Sequence, residues 1–238
     1  MLKQYRMDLH IHTCLSPCGM PENVPTRIAE KARVQNLQVI GVTDHNASEN
    51  VAAVRKAAAG AGIVVLGGME ITTEEEIHVL AIFDNDERLH NVQKIIYDHL
   101  HGTNDPAAFG NQYIVDEDDY VMGLNEHLLM GATTLSVGGI VRTIRDHDGL
   151  AVAAHIDREA FSILSQLGMI PPDLELDAVE LSPNYKKSRF DLDVGLPRLF
   201  FSDAHHIEDI GRACTTLMLE DVSIANIRKA LQTGVTGN

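Results

Sequence analysis

The sequence predicts an α/β fold in which a parallel sheet curls into a closed or nearly closed barrel, an open doubly wound sheet being the competing arrangement. Two observations carry this reading. Seven short apolar runs alternate with longer amphipathic stretches, and metal-competent side chains recur where those runs end. The runs are Met7–Ile11, Val39–Val42, Ile63–Leu66, Ile77–Phe83, Leu150–Ala154, Ala178–Leu181 and Leu199–Phe201. Each has the length and branched aliphatic content of a buried strand rather than a helix. Helix periodicity covers Asn23–Gln35, Ala47–Ala59, Val137–Asp146 and Ser223–Leu231, the third stopping at Gly149 as a C-cap would. Residues 84–135 break the alternation. They are rich in Asp, Asn and Gly and carry His90, His99, His101 and His127, so they read as an insertion or lid over the active face of a single 1–238 domain.

Composition narrows the function classes. The 238-residue chain is 45% hydrophobic and 22% charged, near globular averages, and no apolar run is long enough to span a membrane. The start lacks the apolar core and cleavage site of a signal peptide, so the expected location is the cytoplasm. Cys14, Cys18 and Cys214 are too few, and odd in number, for a disulfide framework. A formal net charge of −15 repels long nucleic acid, although divalent cations at one site would still welcome a small anion.

Candidate ligands fall along one edge. In a strand, residues two apart share a face, so His10 and His12 can serve one cation, and Asp203 and His205 repeat the pattern near the other end of the chain. Between them come Asp44 and His45 after Val39–Val42, Glu70 after Ile63–Leu66, His78 in Ile77–Phe83, and His155 after Leu150–Ala154. Singly, each has a bland alternative: Asp44 and His45 as helix caps, His78 as a core histidine, Glu70 as a surface acid. Together they mark the carboxyl ends of barrel strands, where such folds build active sites. Imidazole with carboxylate suits zinc, iron and manganese ahead of magnesium and calcium.

The set His10-Ile11-His12-Thr13, Thr43-Asp44-His45-Asn46, Gly68-Met69-Glu70, Glu76-Ile77-His78, Ala154-His155 and Ser202-Asp203-Ala204-His205 resembles the PHP family of polymerase and histidinol phosphatase domains, in a stand-alone phosphoesterase branch. The resemblance implies a distorted seven-stranded (β/α) barrel of TIM-like form with two or three divalent metal ions (Mn, Fe or Zn). One metal would take His10, His12, Glu70 and Asp203. A second would take Glu70, His78 and His155, with Glu70 bridging. A third would take His45, His205 and Cys18, the last standing where relatives carry Asp or His. Cys18 is either a thiolate ligand that favours zinc or iron, or a small buried residue beside a weak site.

Hydrolysis follows as the economical chemistry, because bridging metals lower the pKa of bound water and neutralise phosphate charge, and no dinucleotide or Walker signature is present. Glu70 and Asp203 would organise the reaction. Arg158, Lys186 and Arg189, on loops after strands, are candidate phosphate contacts, and His206 is a candidate proton donor to the leaving oxygen. The expected substrate is a small phosphorylated molecule, nucleotides included. The alternatives are 5′-to-3′ exonuclease action on short oligonucleotides, a non-catalytic metal-binding module, and C–N hydrolysis in an amidohydrolase-like barrel. The last usually needs a strand-end lysine, which no candidate strand carries. Oligomeric state is not legible.

Overall fold

Strands form where the apolar runs stand and lengthen at two of them. In the computed structural model, which describes residues 1–234 and 236–237, the chain runs β1 (Lys3–Ile11), α1 (Pro25–Val34), β2 (Val39–Val42), α2 (Val51–Ala58), β3 (Val64–Thr72) and β4 (His78–Phe83). It continues through α3 (Asp86–His99), α4 (Pro106–Phe109), β5 (Tyr113–Val115), β6 (Val121–Leu124), α5 (Val137–Asp146), β7 (Leu150–Ala153), α6 (Ile163–Leu167) and β8 (Ala178–Leu181). The end comprises β9 (Arg198–Phe200), β10 (Thr215–Leu219), α7 (Ile224–Thr233) and β11 (Thr236–Gly237). None of the described helices is long and apolar enough to cross a membrane.

Seven strands, in the order β1-β2-β3-β4-β7-β8-β9, curve round until the chain beyond β9 meets β1 again. The contact is a parallel bridge between Ile11 and Ala204, made by His12 N to Ala204 O at 3.0 Å and Ala204 N to His10 O at 3.1 Å. This is the distorted barrel that the resemblance implies. Lower down, β10 occupies that edge of β1 in antiparallel register. Buried Asp8 knits the junction, accepting from Ser202 N at 3.0 Å and Gly211 N at 2.9 Å.

The sheet is mixed rather than parallel. Only five residues separate β3 from β4, too few for a crossover helix, so the two form a hairpin, and β4 is antiparallel to both β3 and β7. His78 therefore opens its strand instead of closing it, yet the reversed direction brings it to the rim where the other strands end.

Side-chain alternation sorts the core into two layers. Leu66, Leu80, Ile82, Leu150, Val152 and Phe201 fill the barrel, and α7 plugs its base with Ile224, Ile227 and Leu231. Val65, Met69, Val79, Ala81, Phe83 and Val179 face outward onto the helices. Strand β1 changes phase part-way: Met7 and Leu9 belong to the interior, Ile11 to the outer layer, and the β1–β2 register shifts between Asp8 and Ile11. This irregularity turns His10 inward, as a bulge re-aims the residues that follow it. At Gly41, a Cβ would stand 2.6 Å from Leu9 O, so only glycine permits β1 and β2 to approach this closely.

Helix α5 shows how the outer layer is specified. Val137, Ile140, Val141 and Ile144 form its buried stripe, and Ser136 Oγ caps it by accepting from Gly139 N at 3.2 Å. Burying these side chains contributes about 1.5–3 kcal/mol each. Its exit differs from the expected C-cap. Asp148, with φ 56°, takes the left-handed position, while Gly149 is required because a Cβ there would lie 2.4 Å from the Phe83 ring. Within 84–135, α3 packs Leu89, Val92 and Ile96 into the outer core. The β5–β6 hairpin docks by Tyr113 N to Cys14 O at 3.1 Å, against the loop that follows β1.

Candidate metal centre

The open rim gathers side chains from six segments. His10 and His12 come from the end of β1, His45 follows β2, Glu70 lies in β3, His78 starts β4, His155 follows β7, and Asp203 and His205 follow β9. Asp203 stands beyond its strand at φ 49°, and His155 has φ 27°. The pair Asp203 and His205 is thus placed by a turn, not by strand alternation. Non-glycine residues at such angles are held by their surroundings and cluster at functional sites.

Glu70 sits at the middle, 1% exposed, with its two oxygens turned to different partners. Oε1 lies 2.8 Å from His78 Nδ1 and 3.1 Å from His155 Nε2, and those two nitrogens are 3.3 Å apart. Oε2 lies 3.4 Å from His10 Nε2, 3.3 Å from His12 Nε2 and 3.3 Å from His45 Nδ1. Asp203 Oδ1 completes the second group, 3.2 Å from His10 Nε2 and 3.1 Å from His12 Nε2, which are 3.2 Å from each other. Four donors around a tetrahedral zinc-sized cation stand about 3.3–3.6 Å apart. The spacing of both groups fits a metal ion.

Proton placement makes the fit stronger. His10 Nδ1 donates to Glu180, both of whose oxygens are 3.0 Å away, leaving Nε2 as a bare lone pair. Ser16 Oγ donates to Asp44 Oδ1 at 2.6 Å and so accepts from His12 Nδ1 at 3.0 Å, which bares Nε2 of His12 as well. With both rings neutral, two lone pairs and two carboxylate oxygens would converge with no hydrogen between them. Such a cluster demands positive charge. Burial alone would lower the pKa of both histidines, but Glu180, Asp203 and Glu70 outweigh it for His10, and Asp203 and Glu70 raise His12 to about 9. Burial works against the charged forms of Glu70 and Asp203 too, yet the surrounding histidines hold both carboxyls well below the usual range.

A further set, His12, Cys18, His45 and His205, brings its ligand atoms within 4.8 Å of one another. Burial, then the charges of Glu70, Asp203 and Asp44, push the Cys18 thiol up, so thiolate forms here only beside a cation. His205 is lowered to about 4 and His45 well below 6.5, both first by burial, which keeps these imidazoles neutral as ligands must be. Asp44 caps no helix, since α2 begins at Val51. It accepts from Thr13 N at 2.7 Å and Thr13 Oγ1 at 2.8 Å and holds the loop carrying His12.

Other expected residues divide. Arg158 Nη2 lies 2.6 Å from Asp203 Oδ2, on the side away from the histidines. Lys186 stands over the Tyr185 ring, and Arg189 pairs with Glu159 at 3.4 Å. Arg189, Arg158 and Lys187 line a shallow cleft with Ser182, Asn184 and Ser188, whereas Lys186 does not reach it. His206, exposed, stands at the entry to a short turn over Ile207–Asp209 and takes no part in the ion pairs or ring contacts described for the cluster. Glu180 escaped the sequence reading. A fully buried acid inside the apolar run Ala178–Leu181 was the available signal. Replacing Glu180 with glutamine is expected to weaken metal binding about 10- to 100-fold, the usual cost of losing an outer-shell partner. Competition against a chromophoric chelator measures it, and an unchanged affinity would refute the assigned role.

Comparison with known proteins fits this geometry. The model of the PHP domain family matches residues 8–170. The chain belongs to the PHP family. An uncharacterized protein of Methanocaldococcus jannaschii is 34% identical over 91 residues, covering 34% of this chain and 52% of that protein. Among solved structures, a lesion-specific endonuclease of Pyrococcus furiosus aligns at TM-score 0.68 and 19% identity, over 97% of this PHP chain and 56% of its own. An endonuclease Q complex with a 27-mer duplex bearing an abasic lesion aligns at 0.66 and 18%, over 97% and 57%. A two-domain Bacteroides vulgatus protein containing a predicted PHP-like metal-dependent phosphoesterase aligns at 0.58 and 18%, over 99% and 64%. At these identities the structural likenesses show the PHP fold. The chain spans about half the length of the curated relative and of the two endonuclease structures.

Proposed function

We propose that this PHP chain is a metal-dependent phosphoesterase acting on phosphomonoesters or nucleotide phosphates. The observation that carries the reading is the division of Glu70, one oxygen to each of two donor sets, with a guanidinium alongside. Cations held by His10, His12, Glu70 and Asp203, and by Glu70, His78 and His155, would supply Lewis acidity, water activation and charge neutralisation at phosphate. Cys18, His45 and His205 would hold a third, its thiolate favouring zinc or iron over manganese.

The chain's own residues do the rest. Asp203 is shared between the histidines and Arg158, so it fixes the guanidinium at the edge of the centre. Burial disfavours the charge on Arg158, but Asp203, Glu180 and Glu70 raise its pKa further, and it stays cationic at every working pH. Its remaining N–H groups can meet phosphate oxygens as a planar fork. Lys187 and Arg189 add cations to the neighbouring cleft, where Asp157 and Glu159 offset part of the charge. Residues 84–135 supply the specificity element, because the β5–β6 hairpin rests on the loop that carries Cys18. The free thiols of Cys14, Cys18 and Cys214 agree with a cytoplasmic location.

A second reading is action on nucleic acid, favoured by the duplex-bound endonuclease Q structure and opposed by the charge of −15. Short 5′-phosphorylated oligonucleotides are its natural form. The deciding experiment loads the protein with manganese, iron or zinc and offers phosphomonoesters, nucleotides, such oligonucleotides and amides. Phosphate release that stops on chelation is expected. Turnover of amides alone, or of nothing with any metal, would overturn the phosphoesterase reading. In the same assay Arg158→Met is expected to lower kcat/KM about 10²- to 10³-fold, the cost of one charge-stabilising donor, and Arg158→Lys to recover part of it.

A further inference from the structure

Phe161 is placed where hydrophobic burial does not explain it. The side chain of this large apolar residue is 40% exposed. Its backbone has φ 56°, a costly conformation for a bulky residue. Two contacts hold it there: Phe161 O accepts from His78 N at 2.9 Å, and the ring lies against the His78 imidazole, centroids 4.6 Å apart and planes inclined by 15°. One ring face is thus spent on a metal-ligand histidine. The exposure is that of an aromatic surface at the edge of the centre.

Loop 155–162 links this ring to the phosphate end of the site. It begins with His155, carries Arg158 beside Asp203, and passes to Phe161 beside His78, with Ser162 Oγ donating to Arg158 O at 2.7 Å to hold the turn. Arg158 and Phe161 therefore flank opposite donor sets of the bridge. We propose that Phe161 is a stacking platform for a planar ring on the alcohol portion of the substrate, so that the site selects ring-bearing phosphate esters over the same ester lacking the ring. The inference rests on the phosphoesterase reading and narrows its substrate class. Strain in the loop is offset by presenting the ring at a fixed angle, which lowers the entropy lost on binding.

Adenosine 5′-monophosphate and ribose 5-phosphate share one scissile bond and one leaving oxygen and differ at the anomeric carbon, which carries adenine in one and a hydroxyl in the other, so the pair isolates the platform. The wild-type protein is expected to favour the nucleotide about tenfold in kcat/KM, since stacking of one base on an aromatic side chain is worth about that factor or more. Phe161→Leu keeps the bulk and the backbone strain but removes the flat face, and Phe161→Gly removes the ring and relieves the strain. Both should bring the ratio of the two specificity constants near one, and Phe161→Tyr should preserve it. The ratio cancels any general loss of activity. A wild-type ratio near one, or a ratio that Phe161→Leu and Phe161→Gly leave untouched, overturns the proposal. If neither ester is hydrolysed, the result bears on the phosphoesterase reading, which the wider substrate panel decides, and not on the platform. Titration calorimetry with the same two compounds then decides the platform separately: equal Kd for both refutes it, and tighter nucleotide binding that Phe161→Leu abolishes sustains it.

Discussion

Replacing Glu70 with glutamine is expected to disable both donor sets at once. The carboxylate gives Oε1 to His78 and His155 and Oε2 to His10, His12 and His45. An amide has one oxygen, so whichever way it turns, an NH2 group faces one set of imidazoles and the bridging charge is gone. Metal content should fall below a tenth of wild type, and kcat/KM by at least about a thousandfold, equivalent to roughly 4 kcal/mol of lost transition-state stabilisation. Asp203→Asn is the instructive comparison, because the ion pairs of Asp203 run to His10, His12, His205 and Arg158 rather than to His78 and His155. Elemental analysis beside single-substrate kinetics makes the test. If Glu70→Gln kept full metal stoichiometry and turnover, the bridge would be wrong.

Metal affinity should rise steeply with pH, by at least about a hundredfold between pH 6 and 8. The sign follows from His12, whose pKa in the metal-free protein is raised from 6.5 to about 9 because Asp203 and Glu70 outweigh the effect of burial. At pH 7 its ring is protonated, so a cation must displace at least one proton, and each released proton makes affinity change tenfold per pH unit. Stability of the metal-free protein runs the other way. A raised histidine pKa stabilises the fold fully below the unfolded value of 6.5, and that contribution is lost as pH climbs through about 9. Chelated protein should therefore show a falling Tm over this window, whereas metal-loaded protein should not. Chelator competition at several pH values, with calorimetry in buffers of different ionisation enthalpy to count protons, checks both. A pH-independent affinity would refute the tautomer assignment.

Much of the rim was legible because its chemistry is written locally. A histidine or acid near the end of an apolar run is conspicuous at His10, Glu70 and His155, and the spacing of those runs gives an α/β sheet whose closure into a barrel comes from the family resemblance rather than from the pattern. Direction was not legible at β4: periodicity gives a strand, but only the short connection to β3 shows that it turns back, and His78 was therefore assigned to the wrong end of its strand. Asp203 was read as a strand residue although a left-handed turn presents it. Ser16 positions a ligand through a hydroxyl, and no local pattern distinguishes it from an ordinary loop residue; Glu180 shows as an acid inside an apolar run, but nothing local names the histidine across the barrel that it serves. Lys186 and Lys187 differ by one position, and a short 3₁₀ turn over Tyr185–Lys187 decides which reaches the cleft.

The phase change in β1 makes this strand intolerant of length variation in a particular way. Below it, Met7 and Leu9 contribute to the barrel filling; above it, His10 and His12 contribute to the rim. Loss of one residue between Asp8 and Ile11 would straighten the ladder into simple alternation and leave a single inward position where Leu9 and His10 now both stand, so either a barrel-filling side chain or an imidazole would be forfeited. Homologous chains should therefore vary freely in the loops around this strand while keeping the number of residues from its start to the second histidine constant.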